Sequence, residues 1–497
     1  MMVKDNEYLK SIVMFNVGGS VDLFEVFHLD QHSNLYIYVV DSHRPYHPSN
    51  VRNAQSVFLL DDSTDTGVSC DVNEEEIREL ACSSGVSTDE EMEVSEDTDE
   101  ESQKHWYKKL EQKLGPIVIS SSPSHGFASS GLAYALSSQL GLARNELLWY
   151  SILGLTDQFI HYRIDLTRYR EDFRFFREEV LNKNVQEAEF TTQKNWDHPH
   201  RILCVDNEYT FVLYRYWSLY ESICHTPSIA TKLRIWNQQG RNNLDRWMAK
   251  MGLPLEECKQ RYLAMKKKFK KMLPEVLEKY TPEFNVGPYY YPSFLKNPSH
   301  DREVSAFDAV YGMTALLGSG ERCSEGDEEK ELNGFWSAYY SVSNRGISML
   351  EKGIERAIED KKAVVKQVQS IIQRRQFSKS ENYQYAFLND ISESEYLNHP
   401  AILNELAYFM AGVMAEMYKP KPFVLAAKLT KKNICIVVGV EGCCSYTPNR
   451  FGRVFVEAAV RTNTKITYPT LDTTTVQLAG EDFDRFTEYL RSGLILD

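Results

Sequence analysis

Three short strings in this 497-residue chain carry side chains able to do chemistry. Asp41-Ser42-His43-Arg44-Pro45 sets a carboxylate and an imidazole two residues apart, and both bind divalent metals where several such ligands converge on one cavity. Two donors do not make a site, and the plainer reading is a turn in which Asp41 caps backbone N–H groups. Asp157, in Gly154-Leu155-Thr156-Asp157-Gln158, is either a further carboxylate for the same pocket or a surface cap at the end of an apolar helix. Asn16-Val17-Gly18-Gly19-Ser20 has the glycines of a phosphate loop but neither the P-loop nor the GxGxxG spacing, so it reads as a tight turn. Lys266 to Lys271 (KKKFKK) could meet phosphates or act as an import signal. Its Phe269 belongs to an apolar stripe, however, which puts the lysines on the solvated faces of a helix. Nine cysteines form no CxxC pair, and Cys443 and Cys444 lack a His or Cys at zinc-finger spacing, so they read as buried thiols in a reducing compartment. No metal or other cofactor is expected.

The elements that must position these residues are legible in outline. Ile12 to Val17, Leu35 to Val40, Val57 to Leu60 and Ile117 to Ser120 are β-branched or aromatic runs bounded by turn residues, and read as buried strands. The first two end in the Asn16 and Asp41 strings, at the edge of a parallel sheet where α/β sites usually form. Ser124 to Leu140 and Glu146 to Gln158 have helical spacing and complete an α/β unit. Beyond Asp206 the pattern turns helical. Leu244, Trp247, Met248 and Met251 lie at i, i+3, i+4, i+7 before the stop at Gly252 and Pro254. Cys258, Tyr262, Met265, Phe269, Met272 and Val276 form one continuous stripe, which Pro274 should kink or restart. A polar linker (Gly318 to Lys330) and a long helix (about Asn344 to Gln376) follow. Then come neighbouring strands Phe423 to Leu429 and Asn433 to Val440, and a helix over Phe451 to Val460.

Composition excludes several classes. The formal net charge is −14, but Asp71 to Glu101 hold fourteen acids against one arginine, so the rest of the chain is near neutral. A protein held to nucleic acid mainly by phosphate neutralisation shows a basic excess, so any DNA contact here must be local. From Ser63 to Gln103 the sequence loses its periodicity, Ser87 to Ser102 is almost pure acid and hydroxyl, and the run is expected to be disordered. No stretch of about eighteen apolar residues occurs, and the first residues are too interrupted for a signal peptide. A cytosolic or nuclear chain without membrane contact is expected.

Taken together, Asp41-Ser42-His43-Arg44-Pro45, Gly154-Leu155-Thr156-Asp157-Gln158, Tyr216-Trp217-Ser218-Leu219, Met251-Gly252-Leu253-Pro254-Leu255, Ala306-Phe307-Asp308-Ala309-Val310-Tyr311 and Phe451-Gly452-Arg453 stand in the order and approximate spacing of the cell division control protein 45 family. The chain resembles that family nearly end to end. The resemblance implies a DHH phosphoesterase-like parallel-sheet α/β domain over 1–205, interrupted by the acidic insertion. It implies a helical interdomain module over 206–330, and a C-terminal α/β domain similar to the DHH-associated domain over 331–497. It also implies a nuclear, non-catalytic replication factor. Such a factor is a scaffold of the replicative helicase on chromatin, bound to the MCM hexamer, the GINS tetramer and other replication-fork proteins, with single-stranded DNA as a further contact.

RecJ-like enzymes of the same descent hold two metal ions. The resemblance places Asn16 where they carry a ligand Asp and Ser42 at the first His of their DHH motif, leaving Asp41, His43 and Asp157. Neutral amide and hydroxyl are poorer ligands than carboxylate and imidazole, so a degenerate site is expected. The rival reading is a metal-dependent DHH-type phosphoesterase or exonuclease; a third is a free-standing single-strand binding module. The family has a strand, a helix and a first acidic motif before the position of Ile12, and the chain is expected to lack them. Partner contacts are expected on the aromatic surplus of the helical module, at Trp217, Trp236 and Trp247.

Overall fold

The computed structural model describes residues 9–29, 34–52, 55–60, 124–190, 201–287, 289–299, 302–318, 328–343, 345–388, 397, 399–429, 432–443, 446–470 and 472–493. The acidic run and the strand expected over 117–120 lie outside the described residues. The chain divides into two compact units, Met1–Ala133 and Tyr134–Asp497.

The first unit contains β1 (Ser11–Phe15), α1 (Leu23–Val26), β2 (Tyr36–Val40), β3 (His43–Arg44), α2 (Pro48–Arg52), β4 (Val57–Leu59), β5 (Ser124–His125) and the start of α3 (Ser129–Gln139). Three of its strands form a parallel sheet in the order β1-β2-β4. Alternation puts Ile37 and Val39 on one face, where they pack with Val57, Leu23, Leu29 and Leu35 into a small core. Tyr38 stacks on Phe58 on the other face, at 5.1 Å between ring centroids. The helix expected from Ser124 begins only at Ser129, because Ser124 and His125 are drawn into an antiparallel pair with β3.

The second unit takes the rest of α3 from Tyr134, then α4 (Asn145–Ile160), α5 (Leu166–Phe190) and β6 (Ile202–Tyr209). Short helices follow: α6 (Leu219–His225), α7 (Pro227–Leu233), α8 (Gln238–Lys250), α9 (Leu255–Lys259) and α10 (Lys267–Tyr280). The break in the apolar stripe falls at Gln260 to Lys266, where a 3-10 turn over Tyr262–Ala264 intervenes, and not at Pro274, which sits inside α10. The stripe is core nonetheless. Cys258, Met265 and Phe269 are buried beside Leu273 and Leu277, and the lysines of 266–271 surround them on the outside.

Next come β7 (Tyr290–Ser299), β8 (Arg302–Ser305) and α11 (Ala306–Leu317). β7 is the middle strand of an antiparallel sheet, order β6-β7-β8, despite containing Pro292 and Pro298. A proline cannot donate to the ladder, and each one falls where the register shifts: between Val205 and Glu208 on β6, and between Lys296 and Ser299 on β7.

The chain continues with α12 (Glu328–Ser341), α13 (Ile347–Gln373), β9 (Ser378–Lys379), β10 (Gln384–Leu388), α14 (Pro400–Met417), β11 (Phe423–Leu429), β12 (Ile434–Val440), α15 (Phe451–Thr462), β13 (Thr475–Ala479) and α16 (Phe483–Gly493). α11 and α13 cross with no room for a side chain, since a Cβ on Gly353 would lie 2.4 Å from the Gly312 carbonyl oxygen. The last five strands form a mixed sheet, order β13-β12-β11-β10-β9, in which β10 and β11 run parallel. Leu425, Ala427, Ile436 and Val438 join the larger core with α14. Their alternates Val424, Ala426, Cys435 and Val437 pack with Phe451, Phe455 and Phe486 of α15 and α16. Both faces of this sheet are therefore covered, as the unbroken apolar runs require.

Candidate functional site

The Asn16 and Asp41 strings meet at the C-terminal ends of β1 and β2, because parallel pairing sets Phe15 opposite Val40. Gly18 (φ 102°) turns the chain back, and a Cβ on Gly19 would stand 2.9 Å from Asp41 Oδ2, so the glycines serve close approach and not a phosphate. Gly19 N–H donates to Asp41 Oδ2 at 2.8 Å, and His43 N–H donates to Oδ1 at 3.1 Å. His43 Nδ1 lies 2.6 Å from the same Oδ1. Burial alone raises the pKa of Asp41; the bonds and charge of His43 with the Gly19 N–H outweigh it, and the carboxyl is held below its usual value.

The neighbouring polar groups are neutral. Asn16 Oδ1 accepts from Ser129 Oγ at 2.9 Å and from Ser42 Oγ at 3.3 Å, which ties β1, β2 and the start of α3 together. The His43 and His125 rings stand 5.3 Å apart at their centroids. Asp157 belongs to the second unit, on α4, where Arg163 donates to its Oδ2 at 2.8 Å and His161 Nδ1 lies 3.0 Å from its Oδ1. Among the described residues, no three His, Cys, Asp or Glu side chains gather as a metal-binding group. The donor set in the first unit is poor for a two-metal centre: Asp41 is bonded to His43 and Gly19, and the groups beside it, Asn16 and Ser42, are a neutral amide and a hydroxyl.

Sequence reasoning did not single out His125, Ser129 or Asn50. The turn Ser124-His125-Gly126 before a helix was the available signal for the first two. Asn50 had none, because its role depends on a loop folded against it. Its amide donates to the carbonyls of Gly18, Gly19 and Val21, and its Oδ1 accepts from Leu23 N–H at 3.1 Å, all in a nearly sealed position. Asn50→Ala is expected to cost about 2–4 kcal/mol, since it orphans several buried backbone groups at once. Urea unfolding with amide exchange at Leu23 checks this; unchanged protection at Leu23 would show that the loop holds itself.

The three tryptophans expected to meet partners differ. Trp247 is completely buried, so it supplies core and that expectation is corrected. Trp236 is half-buried against the same core. Trp217 lies against His225, with ring centroids 4.5 Å apart and the planes tilted by 36°, and also lines a cleft of 2020 Å³ within the second unit.

A model of the family described as CDC45 matches residues 2–116 and 118–493. The chain is 31% identical over 567 residues to the cell division control protein 45 homolog of Dictyostelium discoideum, spanning 98% of this chain and 87% of that protein. It is 26% identical over 513 residues to the human homolog, spanning 99% and 88%. Its fold is similar to the crystal structure of CDC45 from Entamoeba histolytica, with a TM-score of 0.67 at 22% identity, covering 99% of this chain and 86% of that one.

Proposed function

We propose, from the premise that this chain belongs to the cell division control protein 45 family of DNA replication factors, that it is a non-catalytic scaffold subunit of the replicative helicase. In this reading it acts in the nucleus and bridges the MCM hexamer to the GINS tetramer, with other fork proteins and single-stranded DNA as further contacts. The first unit is then a DHH phosphoesterase-like domain that has kept its sheet edge and exchanged its ligands. The observation that carries the non-catalytic part is Asn16. Its side chain joins Ser42 and Ser129 in a neutral hydrogen-bonded bracket where a two-metal enzyme needs anionic ligands. No helix among the described residues is long and apolar enough to cross a membrane.

Two measurements test the reading. Full-length protein purified from dividing cells should bring MCM and GINS subunits with it in stoichiometric amounts. The purified chain should show no manganese-dependent release of nucleotides from single-stranded DNA. Turnover abolished by Asp41→Ala would make the phosphoesterase reading the better one.

A further inference from the structure

Outside the acidic run the chain is near neutral, yet its cations are not evenly spread. Three segments of the second unit meet at the C-terminal end of α14: the close of α7, the run from the end of α13 into β9, and the link from α14 to β11. Arg234 Nη2 donates to the Glu416 carbonyl at 2.9 Å, and Lys232 pairs with the Glu416 carboxylate. On the other side, Lys379 Nζ stands 3.1 Å from the centre of the Tyr418 ring, and Lys421 Nζ donates to the Ser380 carbonyl at 3.2 Å. Gln384, opposite Lys379 in the sheet, donates to the Lys419 carbonyl at 3.2 Å. Arg374 and Arg375 lie at the turn into β9, just before Phe377, whose ring is 6.4 Å from that of Tyr418. Glu416 answers Lys232, but Arg374, Arg375, Lys379 and Lys419 are exposed and make no ion pair among the described residues.

One or two cations would complement the last carbonyls of α14. This surface holds more than that role uses, and two of its arginines sit where stability alone favours another residue. Arg234 (φ 58°) and Arg375 (φ 51°) take the left-handed position that ends α7 and α13. Each turn is closed by the next residue, Ile235 N–H to the Ala230 carbonyl at 3.0 Å and Gln376 N–H to the Ile371 carbonyl at 2.9 Å. Glycine is the usual residue there, because a Cβ is penalised in that conformation. Two arginines kept in such positions on one basic surface point to a use for their charge.

The same surface selects among polyanions. A protein partner is held by aromatic and apolar anchors as well as by charge, whereas the ring at the centre here, Tyr418, already carries Lys379 over its face and Phe377 beside it. That ring is equally poor as a platform for the base stacking on which single-strand binders depend. Charge alone remains. Duplex DNA satisfies it best, with one phosphate about every 1.7 Å along its axis.

We infer that this surface binds the phosphate backbone of double-stranded DNA without reading its sequence. The duplex lies across the end of α14, with its phosphates against Arg374, Arg375, Lys379 and Lys419 on one side and Arg234 on the other. The inference goes beyond the scaffold reading and does not rest on it.

The probe is a fluorescein-labelled duplex of mixed sequence and about 20 base pairs, roughly two helical turns. Anisotropy against the full chain should give saturable binding whose log K falls by about 3–5 for each tenfold rise in salt. Arg374→Gln/Arg375→Gly/Lys419→Gln should weaken binding by roughly tenfold or more and reduce that slope by about 3. Arg375→Gly alone should lose affinity while melting at the same temperature or higher, since glycine suits the left-handed turn. The control is Lys267→Gln/Lys268→Gln/Lys271→Gln, which removes equal charge from α10. At about 0.1 M salt, where charges more than about 10 Å away are screened, it should bind within about twofold of the parent. Circular dichroism melting shows that the variants are folded. No duplex binding, equal losses in the two triple variants, or undiminished affinity in Arg375→Gly overturns the assignment. So does tighter binding of an oligothymidylate, or displacement of the duplex by polyglutamate at equal charge concentration. Failure of duplex binding while MCM and GINS still co-purify rejects this surface and leaves the scaffold reading standing.

Discussion

Replacing Arg215 by methionine is expected to destabilise the second unit by about 3–5 kcal/mol. Arg215 holds Glu208 of β6 in a two-pronged pair, with Nη2 to Oε2 at 2.8 Å, and its Nη1 stands 3.6 Å from Asp308 Oδ2 on α11. Both carboxylates are almost completely buried, and the guanidinium lies 4.7 Å over the Tyr214 ring. Burial opposes the cation, but its bonds to Glu208 and the nearby negative charge outweigh that and keep it firmly protonated. Methionine has similar length and no charge, so the variant leaves two buried carboxylates without their cation. Urea unfolding at neutral pH measures the loss. Adding Glu208→Gln should recover much of it, because the orphaned charge is the main cost. A loss under about 1 kcal/mol would mean that water reaches the pair.

The same network shows how far the sequence could be read. The strings that carry the family resemblance turn out to set backbone and core. Ser218 caps α6 by accepting from Glu221 N–H, Gly252 takes the left-handed φ of 66° that ends α8, and Ser305 caps α11 by accepting from Asp308 N–H. Phe451 packs so tightly that a Cβ on Gly439 would touch its ring at 2.2 Å. Apolar periodicity exposed the helices over Asn145–Ile160 and Ile347–Gln373 and the paired strands β11 and β12, because burial there follows one period throughout. The antiparallel sheet β6-β7-β8 escaped that reading because a bulge breaks the alternation of β6 and prolines mark β7. Of the site, Asp41 and His43 were visible as ligand types at a strand end. That Asn16 would face Ser129 was not, since 113 residues separate them and only the folded sheet edge brings them together. Arg215 carried no signal in the sequence and Asp308 stood only within a string that carries the family resemblance; the fold brings both to the buried Glu208 of β6.

Asp308→Asn is expected to gain stability over the parent as pH rises, by about 3 kcal/mol in total. Burial and the charge of Glu208 raise the Asp308 pKa from 3.8 to about 6, against the attraction of Arg215. Its Oδ2 has no hydrogen-bond partner to favour the anion. A folded pKa above the unfolded one means that the folded chain keeps a proton the unfolded chain has released. The contribution of this acid to stability is therefore greatest below about pH 3.8, falls between about 3.8 and 6, and stays at its lower value above. A shift of about two units corresponds to about 3 kcal/mol. Asparagine matches the protonated acid in shape and does not titrate, so all other groups cancel when variant and parent are compared at each pH. The difference in unfolding free energy should widen between about pH 4 and 7 and then level off. A difference that stays flat would show an unshifted carboxyl. One that narrows with pH would show that the Arg215 charge dominates and that Asp308 is a stabilising anion.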